Sequence, residues 1–379
     1  MRTLVVVRTL KTGGMERVAV NLADAFSEQG HESHLMYFKK RSNPISPKNR
    51  NVIVHHYGIN TISFFKPTTF FFTLVAKILN LFIRKSYFLF FGWHGGKLLQ
   101  KKVSQLEKNH GKFDKIIFRG EGTYEIIWSF KHDKAVYVLE NIVKSNTNNF
   151  FINTQRNKKL FHHKNLVAVS TGVKNSADTF FLENNITPKS LNVITNPCPV
   201  EQIRVLAEKE RPKRAPTGSY IVNVARLVPQ KNHHLLIQAY SKSSKKLPLV
   251  IVGAGKLESE LKLLAIKLGV EENIYFVGNQ SNPYVWMKHA ELFVLSSSFE
   301  GLGIVLFEAL TCGTPIISVD CPGGVRDILK GELEAYLCPA DPIELANKID
   351  HVLEKGGYSI KEEWLEDFKP ENIVSAYLK

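Results

Sequence analysis

The chain has 379 residues, 44% of them hydrophobic, which is enough apolar material for two ordinary domains with a core each and marks the chain as globular. Its net charge of +15 is uneven, since residues 1–200 hold 29 Lys and Arg against 12 Asp and Glu while the remainder holds 21 against 23. Four cysteines, Cys198, Cys312, Cys321 and Cys338, form no C-x-x-C pair, so free thiols in a reducing compartment are expected rather than a disulfide framework.

The opening MRTLVVVRTL is basic and apolar, but its apolar run is too short for a signal peptide and reads as a first buried strand. Gly13 and Gly14 follow it and open a helix, MERVAVNLADAFSEQG, with Gly30 as its C-terminal cap. A Gly-Gly turn at a helix start allows close approach of a pyrophosphate. Further short apolar runs, SHLMYF, DKIIF, AVYVL, NLVAVS and LNVIT, are separated by helix-length segments, the pattern of a mostly parallel sheet covered on both faces. No acidic residue occurs from Ser33 to Leu106, which points to an anionic partner for this half of the chain. Within that stretch Phe64 to Trp93 mixes aromatics with Lys77, Arg84 and Lys85. It is too interrupted for a spanning helix and suits a surface that dips into an anionic bilayer interface, or one or two core helices with solvated lysines.

Residues 197–218, ending in ERPKRAPTG, read as a linker between a first domain, 1–196, and a second, 219–357. The second repeats the pattern with SYIVNVA, PLVIVG, IYFVG, LFVLS and PIISV as strands, so two Rossmann-like α/β domains facing across a cleft are expected. Ligands of such sheets bind at the carboxyl ends of strands, which directs attention there. Arg226 directly follows one strand, with Lys231 five residues on. Two cations there could neutralise a leaving diphosphate, or be solvated loop residues. The VGAGKLE run has Glu258 where a dinucleotide fingerprint has its third glycine, and reads as a strand-helix turn. After LFVLS comes SSFEGLGIVLFEAL, in which Glu300 precedes a helix start and Glu308 lies inside the helix. Gly301 and Gly303 would let a phosphate approach that helix start. Carboxylates on either side of a phosphate site are accounted for by hydroxyls, a ribose on one side and a sugar on the other. The plainer reading makes Glu300 a cap acid and Glu308 a solvent-facing residue.

Taken together, TGGMERVAVNLADAFSEQGHE, VITNPCPV, VARLVPQKNHHLLIQAY, SSSFEGLGIVLFEALTCGTPIIS and CPGGVRDIL resemble retaining glycosyltransferases of family 4, the two-Rossmann-domain (GT-B) type that builds bacterial lipopolysaccharide, capsule, O-antigen and glycolipids. The resemblance implies that Glu308 accepts ribose hydroxyls, that Arg226 and Lys231 hold the diphosphate, and that Glu300 contacts the donor sugar beside the amides of Gly301, Leu302 and Gly303. It implies that Gly14 lines the diphosphate from the first domain, Gly13 beside it on the acceptor side, and that Asn279 lies near the base. The donor is expected to be a nucleotide-sugar, UDP-linked, with no cofactor and no metal; the chain has no D-x-D sequence. Where the family often has a histidine, this chain has Glu140, which could orient or deprotonate an acceptor hydroxyl or serve a structural hydrogen bond, and Glu121 is a second acceptor-side candidate.

Expected partners are the nucleotide-sugar, a glycolipid or lipid-linked saccharide, and an anionic membrane surface, with the protein cytoplasmic and peripheral on the inner face of the membrane. No nucleic-acid module is recognisable. The competing readings are a nucleotide-sugar epimerase or phosphorylase of the same architecture, and a non-catalytic sugar-nucleotide binding protein. The pairs His55-His56, His162-His163 and His233-His234 lack ligand-like spacing, so no structural zinc is expected. The tail 358–379 reads as amphipathic helices that cross back to the first domain, as in the family.

Overall fold

The computed structural model describes residues 1–379 apart from 12, 43, 60–69, 72–73, 76, 79, 81–86, 144–149 and 245–246. Two compact units result, Met1–Pro197 with Pro370–Lys379, and Cys198–Lys369. Both are α/β, as the alternation of apolar runs and amphipathic segments requires.

The first unit is built on seven parallel strands, β1 (Arg2–Thr9), β2 (Glu32–Lys39), β3 (Ile53–His56), β4 (Lys115–Arg119), β5 (Ala135–Leu139), β6 (Asn165–Ala168) and β7 (Ser190–Val193), in the order β3-β2-β1-β4-β5-β6-β7. Leu4 to Val7 at its centre are wholly buried because helices cover both faces. Strand β3 escapes the sequence pattern because IVHH is half polar, and as an edge strand it leaves Ile53 and Val54 exposed. Helix α1 (Gly14–Glu28) buries Val18, Leu22 and Phe26 along one stripe. It ends at Gln29, with Gly30 taking the left-handed φ of +79° that closes such helices. Helix α2 (Tyr87–His110), α3 (Glu121–Tyr124), α4 (Phe150–Phe161) and α5 (Thr171–Glu183) add to the coverage. Much of Phe64 to Trp93 lies outside the described residues. No helix among the described residues is long and apolar enough to cross a membrane.

The second unit has six parallel strands, β8 (Ile221–Val224), β9 (Leu249–Val252), β10 (Ile274–Gly278), β11 (Leu292–Leu295), β12 (Ile316–Val319) and β13 (Leu337–Cys338), in the order β10-β9-β8-β11-β12-β13. Its helices are α6 (Val200–Ala207), α7 (His233–Lys242), α8 (Glu258–Lys267), α9 (Tyr284–Lys288), α10 (Ile304–Thr311), α11 (Val325–Ile328) and α12 (Pro342–Glu354). Helix α6 corrects the linker expected over 197–218. It buries Val200, Ile203 and Ala207, the Cys198 amide donates to the Phe368 carbonyl at 2.8 Å, and Asn282 Nδ2 donates to the Leu206 carbonyl at 2.8 Å. The charged residues after Ala207 hid an amphipathic helix that is integral to the second unit. In the tail, the 3₁₀ turn Glu362–Phe368 stays in the second unit, whereas helix α13 (Pro370–Leu378) belongs to the first and sets Tyr377 against Phe26, ring centroids 6.3 Å apart.

Candidate active site

Each sheet reverses its strand order once, between β1 and β4 and between β8 and β11, and a crevice opens at the carboxyl ends of such a pair. In the second unit β8 and β11 pair only at Leu292 with Ile221 and Phe293 with Val222. Beyond that the buried Asn223 side chain takes over, its Nδ2 donating to the Val294 carbonyl at 2.8 Å. The two following loops are stitched together: Ser298 N donates to the Gln230 carbonyl at 2.8 Å, Gln230 Nε2 to the Phe299 carbonyl at 3.0 Å, and Ser296 Oγ to the Lys231 carbonyl at 3.0 Å.

This stitching sets Lys231 against Glu300. Lys231 Nζ lies 2.5 Å from Glu300 Oε1, and Ser297 Oγ donates to the same oxygen at 2.6 Å. Glu300 is buried, and the Lys231 side chain is 16% exposed. Glu300 is therefore neither a helix-cap acid nor a surface residue. Its main chain is gripped as well, the amide donating to the Pro322 carbonyl at 3.0 Å. Gly323, at φ +118°, lies so close that a Cβ there would meet the Glu300 carbonyl oxygen at 1.7 Å. Burial, reinforced by Glu300, pushes the neighbouring Cys321 thiol up to about 12, which leaves it inert at neutral pH.

Gly301, Leu302 and Gly303 are buried between Glu300 and α10, with Gly303 at φ +81° as the residue before the helix. That φ suits glycine. Glu308, half-buried one turn into α10, accepts from the Tyr284 hydroxyl at 3.2 Å. Arg226 is exposed at the end of β8 and Asn279 is exposed after β10. The register aligns Val224, Val252 and Gly278, so these two residues stand at one sheet edge, two strands or roughly 10 Å apart. Glycines in the turn after β9 permit this alignment, for a Cβ on Gly253 would meet the Ala225 carbonyl oxygen at 1.9 Å and one on Gly255 the Leu227 carbonyl oxygen at 2.2 Å. The VGAGK run is thus a turn packed backbone to backbone, beginning α8 at Glu258.

The family described as "Glycosyl transferases group 1" matches residues 206–367, nearly the whole of this second unit. An uncharacterized glycosyltransferase of Methanocaldococcus jannaschii is 27% identical over 319 residues, 73% of this chain and 76% of that one. The protein is a glycosyltransferase, and its second unit carries the group 1 match. The N-acetylgalactosamine-N,N'-diacetylbacillosaminyl-diphospho-undecaprenol 4-alpha-N-acetylgalactosaminyltransferase of Campylobacter jejuni is 31% identical over 207 residues, 55% of this glycosyltransferase and 54% of that relative. The solved structure of Anabaena HepE in complex with UDP and glucose superposes with a TM-score of 0.69 over 99% of this glycosyltransferase and 98% of HepE, at 18% identity, a likeness of fold.

In the first unit of the glycosyltransferase the expected residues also gather at carboxyl strand ends. Gly13 is the extended residue before α1, and a Cβ on it would meet Glu16 Oε2 at 2.5 Å. Gly14 begins the helix with nothing within 4 Å of where its Cβ would be. Glu140, after β5, receives two parallel hydrogen bonds of 2.8 Å from Arg119 Nε and Nη2, and Arg119 also donates to Asn196 Oδ1 at 2.6 Å. Arg119 is wholly buried while the Glu140 side chain is 17% exposed. Glu121, the first residue of α3, is bound by Arg156, which also holds Glu125.

Four partners of the candidate residues are absent from the sequence reading: Ser297, Tyr284, Arg119 and Arg156. Ser297 and Tyr284 carried no signal beyond being polar or aromatic near a glutamate. Arg119 ends an otherwise apolar strand, DKIIFR, and an ionisable residue at that place was a usable sign. At the opposite sheet edge, His34 Nδ1 lies 2.8 Å from His55 Nε2 and His34 Nε2 2.9 Å from Glu32 Oε1, with His110 close by. Glu32, His34 and His110 each place one ligand-type atom within 4.8 Å of the others. Spacing in the sequence could not reveal this, because the three come from two elements, β2 and the end of α2.

Proposed function

We propose that this glycosyltransferase moves a hexose-type sugar from a UDP-linked donor to a glycolipid or lipid-linked saccharide, with retention of anomeric configuration and without a metal, in the assembly of lipopolysaccharide, capsule or O-antigen. The observation that carries the reading is the Lys231–Glu300 pair at the β8/β11 switch point, beside the start of α10 and below Arg226 in the chain. A diphosphate leaving group needs fixed positive charge where its own charge grows, and Lys231 with Arg226 supplies two cations at one strand end. Glu300 holds the Lys231 ammonium in place through Oε1, and its second oxygen is the group for a donor-sugar hydroxyl. Backbone amides at 301–304 head α10 toward the same position, which favours phosphate. Glu308, oriented by Tyr284, is the acceptor for ribose hydroxyls, and Asn279 stands on the base side.

In the first unit Gly13 and Gly14 give close approach to the start of α1, and Glu140 and Glu121 are the acceptor-side carboxylates. The basic first unit supports docking to an anionic membrane on its cytoplasmic face. The Campylobacter relative, named for a diphospho-undecaprenol acceptor, supports a lipid-linked acceptor. Calorimetric titration of UDP, GDP and ADP in EDTA tests the reading. One nucleotide is expected to bind, with affinity lost in Lys231→Ala and Glu308→Ala. Failure of all three, or a requirement for a divalent ion, overturns it.

A further inference from the structure

Helix α2 carries Gly92, Gly95 and Gly96 on one face, and they let it press against the turn that follows α3. A Cβ on Gly92 would meet the Glu125 carbonyl oxygen at 2.4 Å, one on Gly95 the Ile126 carbonyl oxygen at 2.1 Å, and one on Gly96 the Phe130 amide at 2.5 Å. Trp128 Nε1 donates to the Phe88 and Leu89 carbonyls at 3.2 Å, and Ser129 Oγ to the Trp93 carbonyl at 2.6 Å. The walls of the space between them are therefore held by backbone contact on both sides. That space is a cavity of about 270 Å³ lined by Leu89, Phe90, Trp93, His94 and Trp128. Phe90 and Trp93 are 43% and 46% exposed, so its mouth is apolar and open to solvent. Two such rings side by side at the mouth of an apolar hollow make a contiguous patch of the kind that marks a binding site.

The surroundings narrow the occupant. Lys159, on α4, places Nζ 4.8 Å from the centre of the Trp128 ring. Lys97 and Lys101, one and two turns beyond Trp93 on α2, are exposed, and the nearest acidic residue on that helix is Glu107. A lysine beside an aromatic hollow, with two more along the same helix as Trp93, fits an anionic head on a hydrocarbon chain. The chain also leads from this hollow to the sheet edge in nine residues. Glu121 begins at the carboxyl end of β4, Arg156 ties it to Glu125, and Trp128 follows three residues later, with Lys159 beside it one turn beyond Arg156 on α4. Hydroxyl-seeking carboxylate, cations and apolar hollow thus follow in the order saccharide, phosphate, hydrocarbon.

We propose that the cavity between α2 and the 125–128 turn seats the first stretch of the hydrocarbon chain of a lipid-phosphate acceptor, with Lys159 on its phosphate. This rests on the lipid-linked acceptor of the function proposed above. At about 270 Å³ the cavity lies just below the usual range of ligand pockets, enough for part of a chain and not for a whole lipid.

The test is a titration of full-length protein with farnesyl monophosphate kept monomeric, followed by tryptophan emission. Trp93 and Trp128 report on the cavity, while Trp286 and Trp364 lie in the other unit as a constant background. A saturable change at one ligand per chain is expected. Phe90→Asp should abolish it and Lys159→Ala weaken it about tenfold, the scale of one charge-assisted hydrogen bond. Both side chains are exposed, so folding should survive, and calorimetry of UDP on the same variants should be unchanged. Absence of saturation, equal affinity in the variants, or a response to anionic vesicles alone overturns the seat. Binding of farnesyl monophosphate with no binding of any nucleotide would instead keep the seat and remove the nucleotide-sugar donor reading on which its role rests.

Discussion

Lys231 Nζ and Glu300 Oε1 meet at 2.5 Å across the gap where β8 and β11 part, both largely withdrawn from water. Removing one partner leaves the other charge buried. Lys231→Met should therefore cost about 3 kcal/mol in urea denaturation as well as nucleotide binding. The double variant Lys231→Met/Glu300→Gln should regain most of the stability and none of the binding. A double variant no more stable than the single one would show that the loss does not come from the stranded Glu300 charge.

Gly323 is required by geometry on two counts, its φ of +118° and the Glu300 carbonyl where its Cβ would stand. Gly323→Ala should lower stability by about 2 kcal/mol or more and displace Glu300, weakening nucleotide affinity with Lys231 intact. Gly313→Ala, at φ +80° with open space around it, is the control, with a smaller stability loss and unchanged affinity.

Glu140 anchors Arg119, which is wholly buried. Glu140→Ala should thus lose about 3 kcal/mol of stability by stranding that guanidinium, whatever happens to turnover. Glu140→Gln keeps a hydrogen-bond acceptor for Arg119. A drop in turnover in Glu140→Gln with its melting temperature near that of the parent would identify an acceptor-side role, and unchanged turnover would assign Glu140 to the fold alone.

His233 is fully buried at the start of α7, and burial, with Lys231 adding, lowers its pKa from 6.5 to about 4. Its unfolded form takes a proton near pH 6.5, before the folded form does. Stability is therefore full above pH 6.5 and falls as pH drops toward 4, by about 3 kcal/mol from this one group. His55, lowered to about 4 by burial, acts in the same direction. Urea midpoints at pH 7.5, 5.5 and 4 should show the fall, and His233→Leu should flatten it. An unaltered slope in that variant would reject the assignment.

Much of this was legible in the chain. Short fully apolar runs gave the central strands, since a parallel sheet covered on both faces leaves no alternation to confuse with anything else. Strand-end logic put Lys231 and Glu300 in one site, where the structure joins them as an ion pair, and Arg226 at the end of β8. What escaped was set by tertiary contact: β3 with its two histidines, two-residue β13, and α6 behind a charged run. The same holds for the site. A glutamate five residues past a strand announces itself, but Ser297 and Tyr284 look ordinary until the fold turns them toward a carboxylate.

The first unit is closed by the last helix of the chain. Tyr377 of α13 packs on Phe26 and sits near Arg119, so that core is incomplete until residue 377 has been made. At ribosomal rates of about 5 to 20 residues per second, the closing helix emerges roughly 10 to 40 s after Pro197. The nascent seven-stranded sheet must wait through the synthesis of the entire second unit with one face of α1 uncovered. The later-made unit can be finished first.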